Sequence, residues 1–120
     1  MSNKSLGRES ELLAARFLEE RGYALQVHSY RSPFGEIDLV AQKRDILVFV
    51  EVKARSSGAW GLPEQAVDAR KQAKMVKTAL CYIKHKALRP AAVRFDVIAI
   101  ENGVVRHIEN AFQASSRYTY

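Results

Sequence analysis

The spacing of apolar residues changes period several times along the chain, and each change marks an element. Across residues 9–21, Leu13, Ala14, Phe17 and Leu18 recur at helical spacing, and Gly22 follows as a stop signal. From Tyr23 to Tyr30 the pattern alternates, with Leu25 and Val27 on one face and Gln26 and His28 on the other, which predicts a strand. Residues Arg31 to Gly35 read as a turn around Pro33. Glu36 to Gln42 predicts a second strand, with Ile37, Leu39 and Ala41 on one face and Glu36, Asp38 and Val40 on the other. Lys43, Arg44 and Asp45 then turn the chain into Ile46–Arg55, which is apolar on both faces for most of its length, as a covered central strand should be. A polar loop, Ser56 to Pro63, follows it.

Asp68 is the expected N-cap of a helix running to about Leu88, with Ala69, Ala73, Val76, Leu80, Ile83 and Ala87 as its apolar face. Val93–Ile100 and Val104–Ile108 predict two strands around Asn102-Gly103, a strong signal for a tight hairpin turn. Residues from about 114 onward read as a tail. The order is therefore α-β-β-β-α-β-β, an α/β class chain of one domain over residues 1–120, with a mixed sheet and a helix against each face.

Composition narrows the class without changing this picture. Hydrophobic residues are 48% and charged residues 27% of 120, a globular balance. The longest apolar run, Ile46 to Val50, is far too short for a membrane span, and the N-terminus has no apolar signal segment. A single cysteine, Cys81, excludes an internal disulfide, so a soluble, cytoplasmic protein is expected. The net charge of +6 is concentrated: residues 61–90 hold seven basic and two acidic side chains. Arg70, Lys74, Lys77 and Lys84 fall on one side of the second predicted helix, a stripe suited to a polyanion.

The chemistry lies in the central strand. Val48, Val50 and Val52 make one face, whereas the other runs Leu47, Phe49, Glu51, Lys53, turning from apolar to acid and then base. A buried charge must be paired, solvated or metal-bound. With Arg44 and Asp45 as the two central turn residues, Asp38 stands opposite Glu51 and Glu36 opposite Lys53. With the turn one residue earlier, Asp38 and Glu51 are diagonal neighbours; a bulge or an odd-length loop would separate them. Two adjacent carboxylates repel, but with a divalent cation they become a site, and oxygen-only donors select Mg²⁺ or Mn²⁺. The competing assignment is a Glu36–Lys53 ion pair with Asp38 and Glu51 half-exposed at a sheet end.

Gly35-Glu36-Ile37-Asp38-Leu39 followed by Val48-Phe49-Val50-Glu51-Val52-Lys53 resembles the PD-(D/E)xK, restriction-endonuclease-like nuclease superfamily. The likeness is closest to the YraN-like family of small bacterial proteins and extends more remotely to archaeal Holliday junction resolvases. It covers nearly the whole chain, through Leu6-Gly7-Arg8 with Glu11 and Ala14-Ala15, Ser29-Tyr30-Arg31, Lys71-Gln72, Arg94-Phe95-Asp96-Val97 and Asn110-Ala111-Phe112. The resemblance implies a Mg²⁺-dependent nuclease without naming its substrate; DNA is expected over RNA, with branched or repair-related structures as the candidate class. It implies Asp38, Glu51, the Val52 carbonyl and Glu11 as metal ligands, and Lys53 as the residue that assists the attacking water. Glu9 is the alternative to Glu11 on the same helix. One departure is Ser10, where the family has Gly, and Ser10 is expected to cap the helix. Homodimerisation fits junction-cutting relatives. A nucleic-acid-binding module that keeps the fold, lacks catalysis and works through partners is the alternative.

Other residues carry weaker expectations. Arg31 precedes the acidic strand and is a candidate phosphate contact, as are Lys71 and the basic stripe. Arg94 and Asp96 share a strand face and are expected to pair. Trp60 is a candidate for base stacking or packing. His28, His85 and His107 lack zinc-ligand spacing, and Gly58-Ala59-Trp60-Gly61 lacks the Lys-Ser/Thr of a nucleotide-binding loop.

Overall fold

The computed structural model of the chain describes residues 3–55 and 67–114. Its elements are α1 (Asn3–Glu20), β1 (Ala24–Ser32), β2 (Gly35–Lys43), β3 (Ile46–Arg55), α2 (Ala69–His85), β4 (Ala92–Glu101) and β5 (Val104–Phe112). Kinds and order match the pattern of the sequence. The five strands form one sheet in the order β1-β2-β3-β4-β5. Neighbours are antiparallel except β3 and β4, which are parallel and joined through α2. No helix among the described residues is long and apolar enough to cross a membrane.

β3 is central and buried on both faces, as its unbroken apolar run requires. Leu47 and Phe49 face α2 together with Val40, Met75, Val76, Ala79, Tyr82 and Phe95. The Phe49 ring lies 5.9 Å from Tyr82, edge-on, and 5.7 Å from Phe95, stacked. Val48 and Val50 face α1, among Ala14, Ala15, Leu18, Leu39, Ala41 and Ile98.

Several details differ from the sequence reading; the turn after β1 is shorter than expected, since Arg31 and Ser32 belong to β1 and Gly35 to β2. Helix α1 begins six residues before the expected start, and Ser10 lies inside it, buried at 7% exposure, so it does not cap the helix. A small side chain there lets the helix approach the sheet. The buried face of α2 is Met75, Val76, Thr78, Ala79, Tyr82 and Ile83; Ala69 and Ala87 are exposed. Aromatic and sulfur bulk outweighs alanine in choosing which side packs. In β2, Ile37 packs on the α2 side and Leu39 on the α1 side, although they are two residues apart. The pleat therefore changes phase at Asp38. Across from it in β1, Ser29 takes a positive φ of 55°, and the same phase change lets Tyr30 reach Tyr82 at 5.1 Å.

Asp68 caps α2 as expected, its Oδ1 accepting the Lys71 N–H at 2.9 Å. Asn102 and Gly103 form the β4–β5 turn with φ of 52° and 77°, the left-handed pair of a two-residue hairpin. A Cβ on Gly103 would meet no atom within 4 Å, so Gly103→Ala tests the backbone alone. Its expected cost is about 1 kcal/mol, read as a fall of a few degrees in Tm.

Candidate functional site

The β2–β3 ladder runs from Lys43↔Ile46 to Leu39↔Val50, with Arg44 and Asp45 as the two turn residues. The next pair would be Asp38 with Glu51, and there the ladder stops. Asp38 instead turns its carboxylate into the gap between the strands, and Oδ2 accepts the Val52 N–H at 2.8 Å. This substitution of a side-chain oxygen for a backbone carbonyl parts the two strands without orphaning the buried N–H.

Asp38 and Glu51 meet at the parting, near enough for the two carboxyl groups to interact, and such a pair resists ionising together. The Asp38 carboxyl is pushed up to about 8, first by burial, then by the charge of Glu51, with a smaller push from Glu11; the Val52 N–H opposes these. Glu51 is 6% exposed, and Lys71, from the first turn of α2, forms an ion pair with its Oε2. Lys71 is thus part of the carboxylate site rather than of the outer basic stripe. Nothing in the local sequence signals this contact, because it joins a strand to a helix distant from it in the chain.

Glu11 points toward the sheet from α1, where Ser29 Oγ donates to its Oε1 at 3.1 Å, while Glu9 is exposed. The left-handed backbone at Ser29 turns this hydroxyl toward α1. Lys53, two residues beyond Glu51, is half-buried and has no hydrogen bond or ion pair to another described residue. Glu36 does not stand opposite Lys53. The ladder ends before reaching that pair, and Glu36 instead lies 3.6 Å from Arg31 Nε across β1 and β2. That pair is solvent-exposed, with 79% of the Arg31 side chain accessible, and contributes little stability. Arg70, Lys74, Lys77 and Lys84 are all exposed on α2, as the stripe predicts.

A second polar cluster forms on the α1 side, away from the carboxylate pair. Asp96 has no exposed surface. It accepts from Arg94 Nε at 2.9 Å and Nη2 at 2.8 Å, from His107 Nε2 at 2.7 Å and from the Asn110 N–H at 2.9 Å. Arg94 Nη2 also donates to the Tyr23 hydroxyl at 2.6 Å. Burial alone would raise the Asp96 carboxyl, but hydrogen bonds from His107, Arg94 and Asn110 outweigh it and hold the group below its ordinary value. The expected Arg94–Asp96 pair is therefore present within a larger network. His107, Tyr23 and Asn110 belong to it too, and their spacing in the sequence did not mark them. Trp60 and Gly58–Gly61 lie outside the described residues.

Among the described residues, no three His, Cys, Asp or Glu side chains form a metal cage by themselves. A Mg²⁺ site does not need one, since this ion is usually held by one or two carboxylates, with waters and substrate phosphate completing the shell. The neighbouring carboxyl groups of Asp38 and Glu51, the first raised by burial and by the charge of the second, fit that donor set.

Residues 10–100 match the model of "Uncharacterised protein family UPF0102". A UPF0102 protein of Thermodesulfovibrio yellowstonii is 45% identical over 112 residues, covering 93% of this chain and 99% of the relative. Similar proteins occur in Persephonella marina, 40% identical over 88% of this chain and 91% of the relative, and in Myxococcus xanthus, 40% identical over 92% and 91%. With both the family model and near full-length relatives in agreement, the chain belongs to the UPF0102 family, the YraN-like group.

Proposed function

We propose that this protein is a metal-dependent nuclease of the restriction-endonuclease-like kind that hydrolyses phosphodiester bonds in DNA, with branched or repair-related structures as its substrate class. The observation that carries the reading is the Asp38–Glu51 pair, brought together where β2 and β3 part, with Lys53 beside it on β3. A fold that needed only stability would gain from an apolar pair there.

Asp38, Glu51 and the Val52 carbonyl would hold Mg²⁺ or Mn²⁺, with Glu11 at the margin. When bound, the ion neutralises charge on a phosphate and lowers the pKa of a coordinated water. Asp38 fixes the peptide of Val52 through its N–H, which also fixes the directions in which Glu51 and Lys53 leave the strand. Lys53, which has no hydrogen bond or ion pair to another described residue, would orient the attacking water or a phosphate oxygen. Lys71 neutralises Glu51 before the cation arrives and is then placed to meet a phosphate. Arg31 and the exposed face of α2 hold the rest of the backbone by charge.

One observation favours the second reading, a binding module without catalysis: Lys71 already pairs with Glu51. A single assay separates the two. Purified protein is incubated with labelled linear, single-stranded, flapped and four-way-junction DNA in Mg²⁺, Mn²⁺ or EDTA, beside Glu51→Ala and Lys53→Ala. Cutting that needs metal and disappears in both variants is the expected result. Salt-sensitive binding with no cutting of any substrate by folded protein would establish the module instead.

A further inference from the structure

The short turn between β1 and β2 is built to present an aromatic ring. Phe34, 46% exposed, is the one aromatic among the large apolar side chains exposed in the described residues. Its position is pinned. Ser32 Oγ accepts the Phe34 N–H at 3.1 Å and lies 2.9 Å from the Thr78 hydroxyl of α2. Thr78 is itself fully buried. Helix α2 passes so close to the turn that a Cβ built on Gly35 would stand 3.6 Å from Lys74 Cβ and 3.7 Å from Thr78 Oγ1.

The same edge of α2 connects this ring to the carboxylate pair. Lys71 touches Glu51, Lys74 stands against Gly35, and Lys77 Nζ lies 5.7 Å from the centre of the Phe34 ring. These lysines are three residues apart, so they rise along the helix in steps of about 4.5 Å. Phe34 is four residues from Asp38 along β2, about 13 Å, or about four base steps of stacked nucleic acid. A cationic line therefore starts at the carboxylates and ends at an exposed ring.

We propose that Phe34 is a stacking platform for an unpaired nucleobase, with Lys74 and Lys77 holding the phosphates of the same strand as it runs toward Asp38 and Glu51. The inference rests on the nucleic-acid reading above, not on catalysis. It assigns a preference that the charge stripe cannot supply: an aromatic face rewards a base that is free of its partner, whereas lysines reward any phosphate. The strand that reaches the carboxylate pair is thus single-stranded a few nucleotides from it.

The test is equilibrium binding by fluorescence anisotropy in EDTA, which suppresses cutting. Its probes are a short single-stranded oligonucleotide, a blunt duplex, and that duplex carrying a short single-stranded tail. Phe34→Ala is expected to weaken the single-stranded and tailed probes about five- to a hundredfold and to leave the blunt duplex nearly unchanged. Phe34→Trp is expected to retain binding. Lys77→Ala is expected to weaken all three and to lower the salt slope by about one. Phe34 is exposed, so an unchanged Tm for Phe34→Ala verifies that the variant is folded. Unchanged binding by folded Phe34→Ala, or an equal loss on the blunt duplex, would overturn the inference while leaving the nucleic-acid reading intact. Failure of the unmutated protein to bind any probe at low salt would overturn both.

Discussion

Asp38→Asn is expected to make the metal-free protein more stable at neutral pH and, on the proposed function, to remove the response to Mg²⁺ and the hydrolysis which that function assigns. Asn keeps an oxygen for the Val52 N–H and offers an N–H to Glu51, which reproduces the hydrogen bonds of the protonated acid without its charge. The sign follows from the raised carboxyl. Asp38 titrates near 8 in the folded chain against 3.8 as its ordinary value, so the folded state holds an extra proton between those limits. Its contribution to stability is fully present below pH 4 and is lost as pH rises through 8. The variant lacks that slope, so its advantage widens with pH and levels off above 8, at about 2 kcal/mol once partial exposure is discounted. That is several degrees in Tm. Added Mg²⁺ raises the Tm of the unmutated protein and does little for the variant. On the same proposal, losing Asp38 as a metal ligand would cost about 4 kcal/mol of charge stabilisation in the transition state, about a thousandfold in rate. Thermal melts from pH 5 to 9, with Mg²⁺ or EDTA, supply the measurement. A variant less stable than the parent at pH 8, or equally responsive to Mg²⁺, would refute the assignment.

Asp96→Ala is expected to have the largest effect on folding. The substitution leaves the Arg94 guanidinium, the His107 ring and the Asn110 N–H without their shared acceptor in a site with little access to water. Breaking one side of such a buried pair costs about 3–5 kcal/mol, against a total stability of about 5–15 kcal/mol. Asp96→Asn retains one acceptor oxygen and is expected to lose less. Here the pH dependence has the opposite sign to that of Asp38. The folded-state carboxyl is depressed, so its stabilisation is present above its ordinary value near 3.8 and is lost as pH falls through the lower folded value. Urea unfolding at pH 7 and well below pH 3.8 resolves both points: a large loss at pH 7 that shrinks in strong acid is the expected result. A midpoint for Asp96→Ala within error of the parent would show that the network contributes nothing.

Much of this arrangement was legible in the sequence because it depends on local chemistry. Period changes, Gly22, Asp68 and Asn102-Gly103 gave the order and limits of most elements. Of the turns that the strand spacing allowed, the one centred on Arg44 and Asp45 is present, and it brings Asp38 beside Glu51. What was not legible depends on contacts between distant segments. The phase change at Asp38, which separates Ile37 from Leu39, arises because a side chain replaces a ladder carbonyl at a place where strand alternation looks regular. Lys71 read as one more cation of a basic helix, and only the packing of α2 on the sheet brings it to Glu51. The extension of β5 to Phe112 followed the same logic: Asn110, with a φ of 52°, is held by Asp96 from the neighbouring strand.

The turn at Arg44 and Asp45 acts as a length gauge for the site. Both faces of β2 and β3 are apolar near the turn, with Val40 and Ala41 against Phe49 and Val48, so burial alone discriminates poorly between neighbouring alignments. The hairpin's length makes that choice. Inserting or deleting one residue there would exchange the faces of one strand relative to the other and still leave oily surface on both sides of the sheet. The molecule would then retain much of its hydrophobic core while its two acids no longer met. Tolerance of indels and retention of the acid pair are thus decoupled at this hairpin, and variation in its length among relatives would mark lineages in which the fold has outlived the proposed site.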